Sequence, residues 1–153
     1  MYQKILVPTD GSETAEAAVD SALDLAEKYE ASVHALYVVD TDSLSISLGG
    51  EQIDRIEQGN FAEMDEVRER AEAATGYVAD RARERGLTAV ENVSAGKPHV
   101  LIADYVDEND IDLVVMGSHG RSGVKRALLG SVTERTLRST HVPVLVVDVQ
   151  GTK

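Results

Sequence analysis

Apolar residues along this chain alternate between short unbroken runs and stretches with helical spacing. Lys4–Pro8 (KILVP) is a run of the kind that forms a buried strand. Over residues 13–30, Ala15, Ala18, Val19, Ala22, Ala26 and Tyr29 recur every three or four positions, the period of an amphipathic helix. Ser32–Val39 (SVHALYVV) reads as a second strand, and 41–60 as an irregular stretch rich in Ser, Gly and Asp. Met64, Val67, Ala71, Ala74, Val78 and Ala82 mark a long second helix, with acids at its start and Arg81, Arg83 and Arg85 at its end, as the helix dipole favours. Gly86 is its expected stop, and Gly76 a weak point inside it. A third strand is expected near Thr88–Val93, and a third helix from Pro98 to about Asn109. Ile111–Met116 is apolar on nearly every residue, as in strands covered on both faces of a parallel sheet. A glycine-bearing loop spans 117–130. Ser131, with Glu134 three residues on, predicts a capping box opening the last helix. Pro143–Val149 is the last strand. The order predicts one α/β domain over residues 1–153 with a five-stranded parallel sheet. In that reading 41–60 is a flexible insertion and 149–153 a tail.

Composition narrows the chemistry. There is no cysteine, which removes disulfides, thiolate nucleophiles and cysteine-ligated metals. The net charge is −12, which argues against a duplex nucleic-acid binder. The apolar runs are strand-sized, well short of the roughly 20 residues of a membrane helix, and no leader or lipidation motif is visible. The expectation is a cytoplasmic protein with no membrane or nucleic-acid partner. Lysine supplies only 5 of the 15 Lys and Arg residues. An acidic, lysine-poor surface suits a high-salt cytoplasm; an ordinary acidic protein is the alternative.

In an open α/β sheet, ligands sit beyond the carboxyl ends of the strands, where the strand order reverses. Two strand ends here carry unusual chemistry. The first closes in Pro8-Thr9-Asp10-Gly11-Ser12. The fourth closes in Met116-Gly117-Ser118-His119-Gly120-Arg121-Ser122-Gly123, and its loop ends at Gly130-Ser131. Glycines let backbone approach a ligand, successive N–H groups can form an anion nest, and a helix start attracts phosphate. Arg121, Lys125 and Arg126 add positive charge in a chain short of it. The pattern is neither a Walker A loop nor a dinucleotide fingerprint.

These segments resemble the universal stress protein (UspA-like) family. The resemblance covers almost the whole chain and is carried by KILVPTDGSE at 4–13, IDLVVMGSHGRSG at 111–123, LLGSVTERTLR at 128–138 and PVLVV at 143–147. The spacing of Gly117, Gly120 and Gly130-Ser131 is similar to that of the ATP-binding branch. The resemblance implies strand order 3-2-1-4-5 in a Rossmann-like sheet, with the switch point between strands one and four. It places Asp10 and Val38 at the adenosine end, with Pro8 and Thr9 beside them and Met116 and Gly117 on the nucleoside. Gly120, Gly130, Ser131 and Val132 would hold phosphates, with Arg121 near them. It implies ATP, with ADP and AMP as alternatives, and Mg²⁺ or Mn²⁺ bridging the phosphates. In that order the last strand is a sheet edge. Its apolar run would pair with a second copy, giving a homodimer through 143–149.

Each site residue also has a plainer reading. Asp10 could cap the first helix, although Ser12 can take that role. Ser131 could be a cap alone, the glycines could serve a tight turn, and the cations could be a solvated face. Nothing in the sequence orients His119 as a catalytic base, and His34, His99 and His141 are scattered. No pyrophosphatase loop of the S-G-G-x-D-S type occupies the first strand end. The expected function is ATP binding without fast turnover, in a regulatory or stress-response role and with no catalytic residue assigned. Slow or partner-dependent hydrolysis, and a dimeric interaction module without nucleotide, are the alternatives.

Overall fold

The computed structural model describes residues 2–40, 65–119 and 129–148. Strands and helices alternate as β1 (Lys4–Thr9), α1 (Glu13–Tyr29), β2 (Ser32–Asp40), α2 (Asp65–Glu84), β3 (Ala89–Gly96), α3 (Pro98–Glu108), β4 (Leu113–Gly117), α4 (Ser131–Ser139) and β5 (Val144–Val147). The strands form a five-stranded sheet in the order β3-β2-β1-β4-β5. Every pairing in it is parallel, as expected from the sequence. The segment 41–60, Glu63 and Met64, the cations Lys125 and Arg126, and the tail 149–153 lie outside the described residues.

Strand side chains alternate between two faces, and both faces are covered. Ile5 and Val7, Val33 and Ala35, and Leu113 and Val115 pack with Ala18, Val19, Ala22, Leu23 and Ala26 of α1 and Val78 and Ala82 of α2. On the other face Leu6, Leu36, Val114 and Met116 pack with Ile102, Tyr105 and Val106 of α3, and Val132 of α4 joins them. The alanine stripe of α1 is fully buried at Ala18, Ala22 and Ala26. These small side chains let the helix axis approach the sheet closely.

Three helix ends show why the boundaries fall where they do. Gly86 adopts φ +78° after α2. Its N–H reaches the Arg83 carbonyl at 2.9 Å while Leu87 N–H reaches Ala82 at 2.9 Å, a Schellman stop. Glu30 makes the same turn after α1 at φ 56° without being glycine. Asp110 does so after α3 at φ 54°, and Ile111 N–H closes on the Val106 carbonyl at 3.0 Å. Ile111 is therefore the apolar residue that seals a helix end, and β4 begins two residues later than the sequence pattern suggests. Of the arginines expected to complement the α2 dipole, Arg81 and Arg83 lie in its last turn. Arg85 instead reaches across to α1, 2.8 Å from both Asp24 and Glu27.

Candidate functional site

The chain leaves β1 toward β2 on one side, while β4 flanks β1 on the other. The crevice that this reversal opens at the carboxyl ends of the strands is a cavity of about 500 Å³. That volume lies within the range of small-ligand sites, roughly 300–1,000 Å³. Of the residues expected at a site, Pro8, Thr9, Asp10, Val38, Met116, Gly117, Gly130, Ser131 and Val132 all line this one cavity. Gly120 and Arg121 lie outside the described residues.

The β1 end is shaped by its own side chains. The Thr9 hydroxyl accepts the Gly11 N–H at 3.1 Å, and Asp10 Oδ1 accepts the Ser12 N–H at 2.9 Å. These bonds make a tight turn, with Gly11 at φ 79°. Ser12 then caps α1, its Oγ accepting the Ala15 N–H at 3.2 Å. The cap therefore belongs to Ser12, and Asp10 lines the cavity.

The start of α4 differs from the expected capping box. Gly130 is the cap residue and Ser131 the first helical residue, and no side chain caps the helix. Crowding explains the shift. Gly130 donates its N–H to the Ser118 carbonyl at 2.8 Å. A Cβ there would lie 3.0 Å from His119 Cα and 3.2 Å from His119 Cβ. The Thr133 hydroxyl donates to the Gly117 carbonyl at 2.8 Å, so it binds α4 to β4 rather than capping the helix. Gly117 is more tightly constrained: a Cβ would lie 2.7 Å from Thr14 Cγ2 and 2.9 Å from the Thr14 backbone carbonyl carbon and oxygen. Both glycines thus allow a helix start to sit hard against the end of β4.

His119 lines the cavity and is held on both ring nitrogens. Ser118 Oγ donates to Asp148 Oδ1 at 2.7 Å, so it accepts from His119 Nδ1 at 3.1 Å. Nε2 is then the acceptor for the Thr14 hydroxyl at 3.1 Å. No sequence pattern marks this chain of bonds, because its members come from α1, the β4 end and the residue after β5. Arg70 and Val67 of α2 and Asp40 at the end of β2 also line the cavity and were missed. Val67 belongs to the apolar stripe of α2, and Arg70 lies next to Ala71 of that stripe. That adjacency was the available signal. Among the described residues no cluster of three or more His, Asp or Glu could hold a metal ion. No helix among them is long and apolar enough to cross a membrane.

A doubly wound parallel sheet with a partly apolar crevice at its switch point defines the class: an open α/β domain of the Rossmann-like type. The chain belongs to the universal stress protein family, whose family model matches residues 1–148. It is 35% identical over 148 residues to the universal stress protein MJ0531 of Methanocaldococcus jannaschii, covering 96% of this chain and 82% of that protein. The solved structure of MJ0577, a universal stress protein of that organism, superposes with a TM-score of 0.80 at 30% identity over 99% of both chains. A universal stress protein crystallised in complex with cAMP superposes with a TM-score of 0.66 at 26% identity, over 96% of this chain and 97% of that one.

Proposed function

We propose that this protein binds ATP in the switch-point crevice and acts in the cytoplasm as a homodimeric regulatory protein of the stress response, without fast turnover. The observation that carries the reading is the start of α4 at Gly130-Ser131: a helix terminus without a side-chain cap opens into the cavity. Its N–H groups and dipole suit a phosphate chain. Val38, Met116 and Val132 give the same cavity apolar walls for a base, and Asp10 is the group we assign to the ribose. The cAMP complex of a relative supports an adenine nucleotide in this family.

A divalent cation fits only as an ion carried by the phosphates and water, since the described residues hold no ligand cluster. When bound, Mg²⁺ or Mn²⁺ would neutralise charge on the phosphate oxygens. Among the described residues, Asp10 and Asp40 are the carboxylates lining the cavity. Binding without fast turnover is supported by His119, whose two nitrogens are both engaged, which leaves no free imidazole nitrogen to act as a base toward water. Dimerisation is supported by β5, an edge strand with the sequence Val-Leu-Val-Val and Leu145 38% exposed.

The test is calorimetry with ATP and adenosine on the full chain and on Ser131→Asp. An acid at the first helical position favours the helix, so the variant folds, yet it sets a negative charge against the phosphates. ATP affinity should fall at least tenfold and adenosine affinity should change little. A flat titration at millimolar ATP, or equal ATP affinity in the variant, overturns the proposal. Phosphate release under single-turnover conditions separately measures hydrolysis.

A further inference from the structure

Beside the crevice, a second depression of about 440 Å³ opens between the start of α3 and α4, lined by Lys97, His99, Arg135, Arg138 and Ser139. It gathers three of the 15 Lys and Arg residues of a chain whose net charge is −12, together with an imidazole. Three parts of the chain contribute: the turn after β3, the first turn of α3, and one face of α4. Arg135 and Arg138 are three residues apart, so they share that face.

The cations are little neutralised by their described neighbours. Among the described residues Lys97, His99 and Arg135 form no ion pair. Arg138 reaches Glu134 at 3.8 Å, with side chains 77% and 57% exposed, a contact that contributes little. Ser139 donates its hydroxyl to the Arg135 carbonyl at 2.7 Å, so the cationic groups carry the recognition. Like charges gathered around one depression repel one another until an anion sits between them.

We infer that this depression is a second anion site, distinct from the crevice, for a compact ligand bearing adjoining phosphate groups. Two guanidinium forks can each take two oxygens of a phosphate, and an ammonium adds a point charge. The ligand is compact because the cationic ground is limited. Further along α3 come Asp104, Asp107 and Glu108, which repel an extended polyanion.

The experiment is a ¹H–¹⁵N titration of the full chain with inorganic pyrophosphate, at ionic strength held constant with sodium chloride. The amides of 99–100 and 135–139 should shift along one saturable curve. Arg135→Gln/Arg138→Gln should weaken that curve at least tenfold, and Lys97→Gln severalfold. Any response at Gly130 and Ser131, which belongs to the crevice, should persist in both variants. All three side chains are exposed, so the variants retain the wild-type spectrum elsewhere. The inference fails if these amides do not move, or if chloride alone moves them equally. It also fails if only Gly130 and Ser131 respond, or if the double variant binds like the wild type.

Discussion

Gly117→Ala tests how the crevice is built. The added Cβ would sit 2.7 Å from Thr14 Cγ2 and 2.9 Å from the backbone carbon and oxygen of the same residue. Carbon contacts are most favourable near 3.5–4.0 Å, so α1 or the end of β4 must retreat by about half an ångström or more. Both are packed into a core in which Val19, Val114 and Val115 are fully buried. Overpacking of this kind costs about 1–3 kcal/mol. With a urea dependence of about 1–3 kcal/mol/M, the unfolding midpoint should drop by roughly 1 M at unchanged slope. Gly76→Ala is the control of opposite sign, because nothing lies within 4 Å of a Cβ there. In the interior of α2 it should add about 1 kcal/mol. Thr14→Ser removes only Cγ2 and keeps the hydroxyl bonded to His119. In that background Gly117→Ala should regain only a small part of the loss, since the backbone clash persists. An unchanged midpoint for Gly117→Ala, or full rescue by Thr14→Ser, would refute the packing account.

Three further outcomes are expected. Glu30 holds a left-handed conformation at the end of α1 with φ 56°, which costs a non-glycine residue roughly 1 kcal/mol, so Glu30→Gly should raise the urea midpoint. His34 is buried and lies 2.7 Å from the Tyr105 hydroxyl. Burial first, and then the charge of Lys4, hold its pKa below the ordinary 6.5. The unfolded chain therefore binds a proton that the folded one refuses, and stability should fall as pH drops below 6.5. Denaturation curves at pH 7.5 and 5.5 should show this slope in the wild type and a weaker one in His34→Gln. Leu145→Lys places a charge on the exposed edge strand, and sedimentation should report a dimer for the wild type and a monomer for the variant.

The element order was legible because the sheet is buried on both faces and each helix carries an apolar stripe. Its edges were harder. β3 runs to Gly96, three residues past the expected end, because an edge strand with exposed Glu91 and Asn92 has no apolar run to mark its limits. Ile111 read as strand because a buried apolar residue sealing a helix end has the same composition as one in a sheet. The strand order came from family resemblance rather than from the pattern. The residues of the crevice were legible where they sit at strand ends, which topology makes the ligand face. Arg70 was not, since it needs the packing of α2 on β2 to reach the site; Asp40 closes β2 at the ligand face, but no glycine or turn motif beside it marks it in the sequence. The linkage of His119 was hidden for a similar reason: Thr14 and Asp148 are distant in sequence and meet it only in the folded chain.

Gly117 and Gly130 connect the fold to the site. The sequence presents these glycines as room for a ligand, yet packing already excludes a Cβ at 117 and crowds one at 130. The two requirements converge on one geometry. Close approach of the starts of α1 and α4 to the end of β4 sets Gly117, Gly130 and Ser131 among the residues that line the cavity. With glycine at the crowded position 130, the cap position of α4 carries no side-chain oxygen. The first-turn N–H groups then gain no hydroxyl or carboxylate partner from the cap residue, which keeps that end of the helix available to an anion. A serine or aspartate at 130 would both crowd His119 and place an acceptor of its own over those groups. The crowding that favours glycine at 130 thus also leaves the helix terminus open.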